Sequence, residues 1–307
     1  MKIEANDALC GKTVLSVLRG ELNLSSKTIT VLKKRDDGIL AGGVRVTVRH
    51  VMQPGESLEI NCDDLEPNEN LVPTEMPLDI IYEDDDIIAV NKPPMLPTHP
   101  SHGHFEDTLA NGICFHVLSS QSTPFVFRAA NRLDRNTSGI VLVAKNRISS
   151  AKLYFSMKNG KFKKKYVALL RGVPEKPEGT IETYIRRQKE SIILREVCGN
   201  LPDSSFACSE YRLISTDGKV SLVEAVPRTG RTHQLRLHFA HIGCPILGDD
   251  LYGEASEEIS RQALHASFLS FPHPSSGKTI ALSAPVPKDM SLAAKLHNLS
   301  YNPEERL

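Results

Sequence analysis

The chain has 307 residues, 40% of them apolar and 24% charged, proportions that suit a folded globular protein with a sizeable core. Its 37 Lys and Arg balance 37 Asp and Glu, which excludes a strongly basic or acidic chain, and no run approaches the ~18 apolar residues of a membrane span. The N-terminus, MKIEANDALCGK, lacks the apolar core of a secretion signal, and the six cysteines (10, 62, 114, 198, 208 and 244) form no C-x-x-C pair, so a cytoplasmic protein with reduced thiols and no zinc site is expected.

Charge is unevenly spread. Residues 61–90 carry ten acids and no Lys or Arg, whereas residues 126–190 carry 16 Lys and Arg against five Asp and Glu. Such segregation gives a neutral chain a local positive field, as a phosphate backbone requires. Two solvated charge runs are the competing reading.

In chain order, KTVLSVLRGEL carries Val14, Leu15 and Leu18 at helical spacing, and LSSKTITVLKK places Ser25 or Ser26 to cap a second helix. GILAGGVRVTV and ESLEI read as short strands around a Gly-Gly and a Pro-Gly turn. Residues 1–60 are therefore expected to form a small α/β module. Its pieces LSSKTITVLKK, GILAGGVRV and HVMQPGESLEI resemble, in that order, the RNA-binding domain named after the fourth small-subunit ribosomal protein, which implies RNA binding. A structural N-terminal cap is the alternative. Residues 61–77, acidic, proline-bearing and aperiodic, read as a linker.

Residues 78–307 open with two strand-like runs, Ile80–Tyr82 and Ile87–Val90, and a Pro-rich loop that leads into a helix. Strand-like runs then predominate: SGIVLVAK, KYVALLRG, GTIETYI, SIILREV, SEYRLI, KVSLVEAVP and KTIALSAP, with helices at about 147–159, 232–242 and 290–299. Without a strict βαβ rhythm these elements predict an α+β domain around a mixed, mostly antiparallel sheet with flanking helices.

Three stretches carry candidate chemistry. NRLDRNTSG sets Asp134 between Arg132 and Arg135, either as a neutralised loop acid or as a working carboxylate. KNGKFKKKYVALLRG puts Tyr166 directly behind a lysine-rich turn. VEAVPRTGRTHQLRLHFAHIG gathers Arg228, Arg231, His233 and Arg236 about a turn and a helix start, which suits phosphate or carboxylate binding. Neither G-x-x-x-x-G-K-[ST], G-x-G-x-x-G nor G-x-S-x-G occurs, so nucleotide hydrolysis, dinucleotide redox and the common acyl-transfer chemistry lose their signals. His99, His102 and His104 lack a completing ligand set, and no metal is expected there.

NRLDRNTSGIVLVAKN, KKKYVALLRG and GRTHQLRLHFAHIGCPILGDDLYG, with IIYEDDDIIAVNKPPMLPTHPS before them and ALHASFLSF after, closely resemble the RluA-type pseudouridine synthases over roughly residues 78–285. The resemblance implies an isomerase that converts uridine to pseudouridine in rRNA or tRNA and needs no cofactor. It implies Asp134 as nucleophile, with attack on the sugar and abstraction of a sugar proton both open to its carboxylate, Tyr166 as the ring stacked on the target base and implicated in proton transfer, and Arg236 as the partner of Asp134. Arg132 would fill the space of a flipped base, Arg231 and His233 would face the substrate, and Leu264 would pack near the uracil. The partner implied is RNA, with neither a membrane nor an obligatory protein. Asn131 stands where the family usually has His, which puts loop geometry in question. A non-catalytic RNA-binding paralogue is the alternative, and it would require a broken Asp134, Tyr166 and Arg236 set. A carboxylate-dependent nucleoside hydrolase would require a second acid in these motifs.

Overall fold

The computed structural model describes residues 2–4, 9–61, 71–120, 124–191 and 193–301. Most of the acidic segment read as a linker, residues 62–70 with Cys62, lies outside the described residues. So do the last six residues of the span 78–307.

The N-terminal part builds a four-stranded sheet from β1 (Lys2–Glu4), β2 (Ile39–Ala41), β3 (Val44–Arg45) and β4 (Ser57–Ile60), in the order β1-β4-β2-β3. Two helical segments pack with it: α1 (Val14–Ser16), which widens into a π turn over Val17–Glu21, and α2 (Ser26–Lys34). Thr13 and Ser25 cap the helices, each accepting a backbone N–H three residues on. Gly42 and Gly43 hold φ of +56° and +80°, the double left-handed turn that closes a two-residue hairpin. Val14, Val17, Leu18, Ile29, Leu32, Met52 and Leu58 form its apolar cluster.

The remaining strands form one eleven-stranded sheet. They are β5 (Ile80–Glu83), β6 (Ile87–Lys92), β7 (Arg128–Ala129), β8 (Ser138–Ala144), β9 (Lys163–Arg171), β10 (Glu178–Arg187), β11 (Arg195–Cys198), β12 (Ser205–Thr216), β13 (Val220–Pro227), β14 (Leu264–Pro272) and β15 (Thr279–Ser283). The order is β11-β10-β12-β13-β9-β14-β8-β6-β5, with β15 beside β14 and β7 beside β8. Among the described residues only the β14–β8 pairing is parallel, so the sheet is mixed and mostly antiparallel, as the strand runs predict. Helices α3 (Leu109–Ser120), α4 (Arg147–Lys158), α5 (Gln234–His241) and α6 (Lys288–Leu296) flank it. All seven residues of β8 are buried, because apolar clusters cover it from both faces. Ile148 of α4 also joins the N-terminal cluster, so the two sheets share packing there. No described helix is long and apolar enough to cross a membrane.

Gly139 makes the parallel contact possible. It pairs with Ala266 at φ +114°, where an added Cβ would sit 2.3 Å from the Ala266 carbonyl oxygen. Any side chain there would push β14 off β8 and distort the loop that precedes β8.

Two wholly buried histidines tie the core to pH. His265 accepts from the Ser138 hydroxyl at Nδ1 (2.9 Å) and donates from Nε2 to the Ala284 carbonyl (3.2 Å), while His238 Nε2 meets Thr183 Oγ1 at 2.9 Å. Burial lowers the pKa of both to about 4. The unfolded chain takes up these protons near pH 6.5 and the folded chain refuses them until about pH 4, so stability falls as pH drops through that window. Each histidine should contribute roughly 1 kcal/mol per pH unit. His297 works in the opposite sense. Its partial burial is outweighed by hydrogen bonds to Asp217 (2.6 Å) and Glu258 (2.9 Å), which raise its pKa. That clasp is complete below pH 6.5 and is lost as pH rises through the raised value. Urea unfolding should therefore give a free energy that drops by several kcal/mol between pH 6.5 and 4.5; a flat profile there would refute the assignment.

Candidate active site

The loop between β7 and β8 carries Asp134, and buried side chains from distant parts of the chain hold it. Its carbonyls are taken one after another. Leu133 O accepts from Thr98 Oγ1 (2.8 Å), Asp134 O from the Thr137 amide (3.1 Å), Arg135 O from Lys92 Nζ (3.0 Å) and Asn136 O from Arg261 Nη1 (3.0 Å). Lys92 is wholly buried and gives its other two protons to Pro93 O and Leu96 O, so one ammonium joins the Pro-rich loop to the Asp134 loop. Burial pushes its pKa down to about 7, and the charge of Asp134 opposes that shift. Arg261 is fixed in turn by a bidentate pair with Asp289 (2.6 and 2.9 Å). The effect is preorganisation: the carboxylate is presented, 29% exposed, on a backbone that has little freedom to move.

Asn131 answers the question raised by its departure from the family pattern. Its Nδ2 donates to Ile140 O (2.8 Å) and its Oδ1 accepts from the Leu142 amide (2.9 Å). The amide thus mimics a strand partner for β8 and anchors the loop's first residue.

Facing this loop is the turn into α5. The sequence places the helix start near Thr232; it begins instead at Gln234, because His233 adopts the left-handed conformation at φ +57°. Buried Gln234 organises the turn, accepting from Thr229 Oγ1 (2.7 Å) and the Arg231 amide (2.9 Å) and donating to Cys208 O (2.9 Å). Arg236 extends from α5 to within 3.7 Å of the Asp134 carboxylate. Its tighter partner is Asp249, a wholly buried acid bound through two 2.7 Å hydrogen bonds. Asp249 Oδ1 also accepts from the Leu251 and Tyr252 amides (3.1 and 3.2 Å). The guanidinium is therefore locked by Asp249 with one nitrogen left for Asp134, a geometry better suited to orienting Asp134 than to quenching it.

His233 Nε2 stands 3.9 Å from Asp134, and its Nδ1 meets the Tyr252 hydroxyl at 2.9 Å. Burial, reinforced by Arg236 and Arg195 and opposed by Asp134 and Asp249, lowers its pKa, so the ring is neutral at pH 7 and is a hydrogen-bonding group there. Tyr166, on β9 between Ala225 of β13 and Ala266 of β14, is 9% exposed. Burial first, and the charge of Asp134 second, push its pKa well above the ordinary phenol value, so it acts as a protonated phenol rather than a ready base. Leu264, paired with Ala168, is buried in the same core. Arg132 is exposed, and its charge helps burial lower the pKa of His99. Arg231 is exposed and spends Nε on Phe206 O (3.0 Å).

Some expected donors lie elsewhere. Arg228 forms a bidentate pair with Glu210 on β12 (2.7 and 2.6 Å), so it leaves the cluster expected around the turn. Lys165, from the lysine-rich turn, meets Glu224 (3.5 Å) and covers the Phe268 ring. Arg135 reaches Met95 O, away from the acid it follows.

Residues 86–241 match the family described as RNA pseudouridylate synthase. The chain belongs to that family. An "Uncharacterized RNA pseudouridine synthase YjbO" of Bacillus subtilis is 37% identical, covering 91% of this chain and 97% of its own length. The "Ribosomal large subunit pseudouridine synthase D" of Neisseria meningitidis (serogroup A) is 33% identical, with 92% and 78% covered. Among solved structures, human RNA pseudouridylate synthase domain containing 1 superposes with a TM-score of 0.60 at 28% identity, over 78% of this chain and 95% of that one. As a pseudouridine synthase, the protein is an isomerase that acts on RNA and converts uridine to pseudouridine. That reaction needs neither an energy source nor a redox partner, in keeping with the missing nucleotide-binding motifs.

Proposed function

We propose that Asp134, Tyr166 and Arg236 are the catalytic group of this pseudouridine synthase and that its substrate is ribosomal RNA, with tRNA as the other class to test. The observation that carries the reading is the gripped Asp134 loop facing an arginine that Asp249 fixes 3.7 Å away. Asp134 attacks C1′ of the target uridine, the C1′–N1 bond breaks, and the uracil departs as an anion. The uracil turns, C5 re-forms the bond to C1′ as the carboxylate leaves, the C5 proton passes to solvent water, and N1 takes up a proton in its place, so that product and substrate are isomers. Tyr166 stacks on the base and Leu264 packs against it, which offsets the few kcal/mol needed to unstack it. Arg132 fills the vacated place in the RNA, while Arg231 and His233 face the sugar and phosphate. The relatives named as acting on the large ribosomal subunit support ribosomal RNA as substrate and the cytoplasm as the place of action.

We further infer that residues 1–60 are an RNA-binding module of the ribosomal-protein type, joined through residues 61–77 to the catalytic part, 78–307. Its exposed lysines Lys27, Lys33 and Lys34 on α2 support a phosphate-contacting face.

The test is tritium release from carbon 5 of unmodified, tritiated transcripts of the two ribosomal RNAs and of a tRNA pool. Release from a large-subunit transcript is expected; none from any transcript would sink the reading.

A further inference from the structure

The hairpin of β10 and β11 places two arginines directly opposite each other. Arg187 pairs with Arg195 at the last register position before its loop. Side chains alternate along a strand, so the partners two residues back, Ile185 and Val197, mark the face that these arginines share. Ile185 and Val197 pack with Leu237 of α5 and with Tyr252, so that face is the one turned toward the candidate active site. The other face carries the hairpin's acid contacts: Arg186 binds Glu196 (2.6 Å) and lies 3.9 Å from Asp203.

Among the described residues Arg187 and Arg195 have no such partners: neither side chain meets a carboxylate, and the Nε of Arg195 is buried without any acceptor. Like charges opposed across a strand pair destabilise it, and a buried donor left unpaired adds a further penalty. A folded chain tolerates both when an anion belongs between the two groups. Arg195 is also wired to the site: its amide donates to the Tyr252 hydroxyl (2.9 Å), which meets His233 (2.9 Å), which stands 3.9 Å from Asp134. Its positive charge is felt at His233, whose pKa it helps to lower.

We propose that Arg187 and Arg195 form a clamp for a phosphodiester of the RNA strand beside the target uridine. Two planar guanidinium forks match the geometry of phosphate oxygens, and the clamp would set how far the strand enters the cleft without reading its sequence. This inference rests on the reading that the Asp134 cleft receives that uridine.

The experiment uses the full chain and whichever of the tritiated transcripts above the wild type modifies. Affinity is measured by fluorescence anisotropy across a salt series, alongside kcat, KM and Tm, for Arg187→Gln, Arg195→Gln, Arg195→Lys and the double Gln variant. The double variant should bind about 10-fold or more weakly, with the slope of log Kd against log salt reduced by about one per arginine. KM should rise while kcat at saturation stays within about threefold. Arg195→Lys should fall between wild type and Arg195→Gln. Removing one of two opposed charges should leave Tm unchanged or raised, whereas a structural role would lower it. Wild-type affinity and salt slope in the double variant, or a lowered Tm with unchanged affinity, would overturn the clamp alone. A wild type that modifies no transcript would overturn the clamp together with the reading beneath it.

Discussion

Asp134→Asn is expected to abolish tritium release, by at least about 1,000-fold, while RNA affinity stays within a factor of two or three or tightens slightly. Asparagine keeps the shape and removes the charge on which the proposed attack on the sugar depends. The loop should hold, because Thr98, Lys92 and Arg261 grip backbone carbonyls and not the carboxylate. Arg236 likewise keeps Asp249 as its main partner, so no buried charge is stranded. Unfolding free energy should therefore shift by no more than about 1 kcal/mol. Loss of one anion near the phosphates accounts for the slightly tighter binding. Undiminished release would remove Asp134 from its proposed role. A loss of binding that matched the loss of turnover would make it a binding residue instead.

The R-L-D-x-x-T-S-G element, the tyrosine on KKKYVALLRG and the GRTHQLR turn were readable because each is a side chain whose chemistry is carried by its own letter. The structure brings Asp134 and Arg236 together and sets Tyr166 where the charge of Asp134 reaches it. The groups that hold them were not readable in the same way. Lys92, Thr98 and Arg261 act on carbonyl oxygens, and a carbonyl has no letter. The available signal was an isolated lysine ending an apolar strand, IIAVNK, which becomes wholly buried. Asp249 stands in GDDLYG beside Asp250, and nothing in the sequence says which of the two turns inward. Arg228 reads as a site residue because it is close in sequence to Arg231, yet just past the end of β13 its side chain turns to Glu210 on β12.

The fold shows the same division. Apolar runs located most strands, and the absence of a βαβ rhythm gave the mixed, mostly antiparallel sheet. SIILREV yields a strand only from Arg195, since Ser191 Oγ accepts the amides of Ile193 and Leu194 and bends the chain first. The three residues of β1, KIE, carry no usable periodicity; pairing with β4 makes them a strand.

Asp249→Asn is expected to be as damaging to turnover as a change that touches the substrate, for a different reason. Asp249 and Arg236 are buried with side-chain exposures of 0% and 5%. Breaking such a pair by neutralising one member leaves a desolvated charge and should cost about 3–5 kcal/mol in urea unfolding. The freed guanidinium then has one strong acceptor within reach, Asp134. A full Arg236–Asp134 ion pair would tie up the carboxylate on which the proposed attack depends, so kcat should fall by about 100-fold or more with RNA affinity little changed. Stability and catalysis can be separated by removing both charges. An Arg236→Met, Asp249→Leu double variant should recover much of the lost stability, because buried ion pairs are often replaceable by apolar packing. It should remain inactive, because Asp134 would have lost the cation that orients it. A double variant that regained turnover along with stability would show that the pair serves only the fold; Asp249→Asn with wild-type Tm and kcat would show that it serves neither.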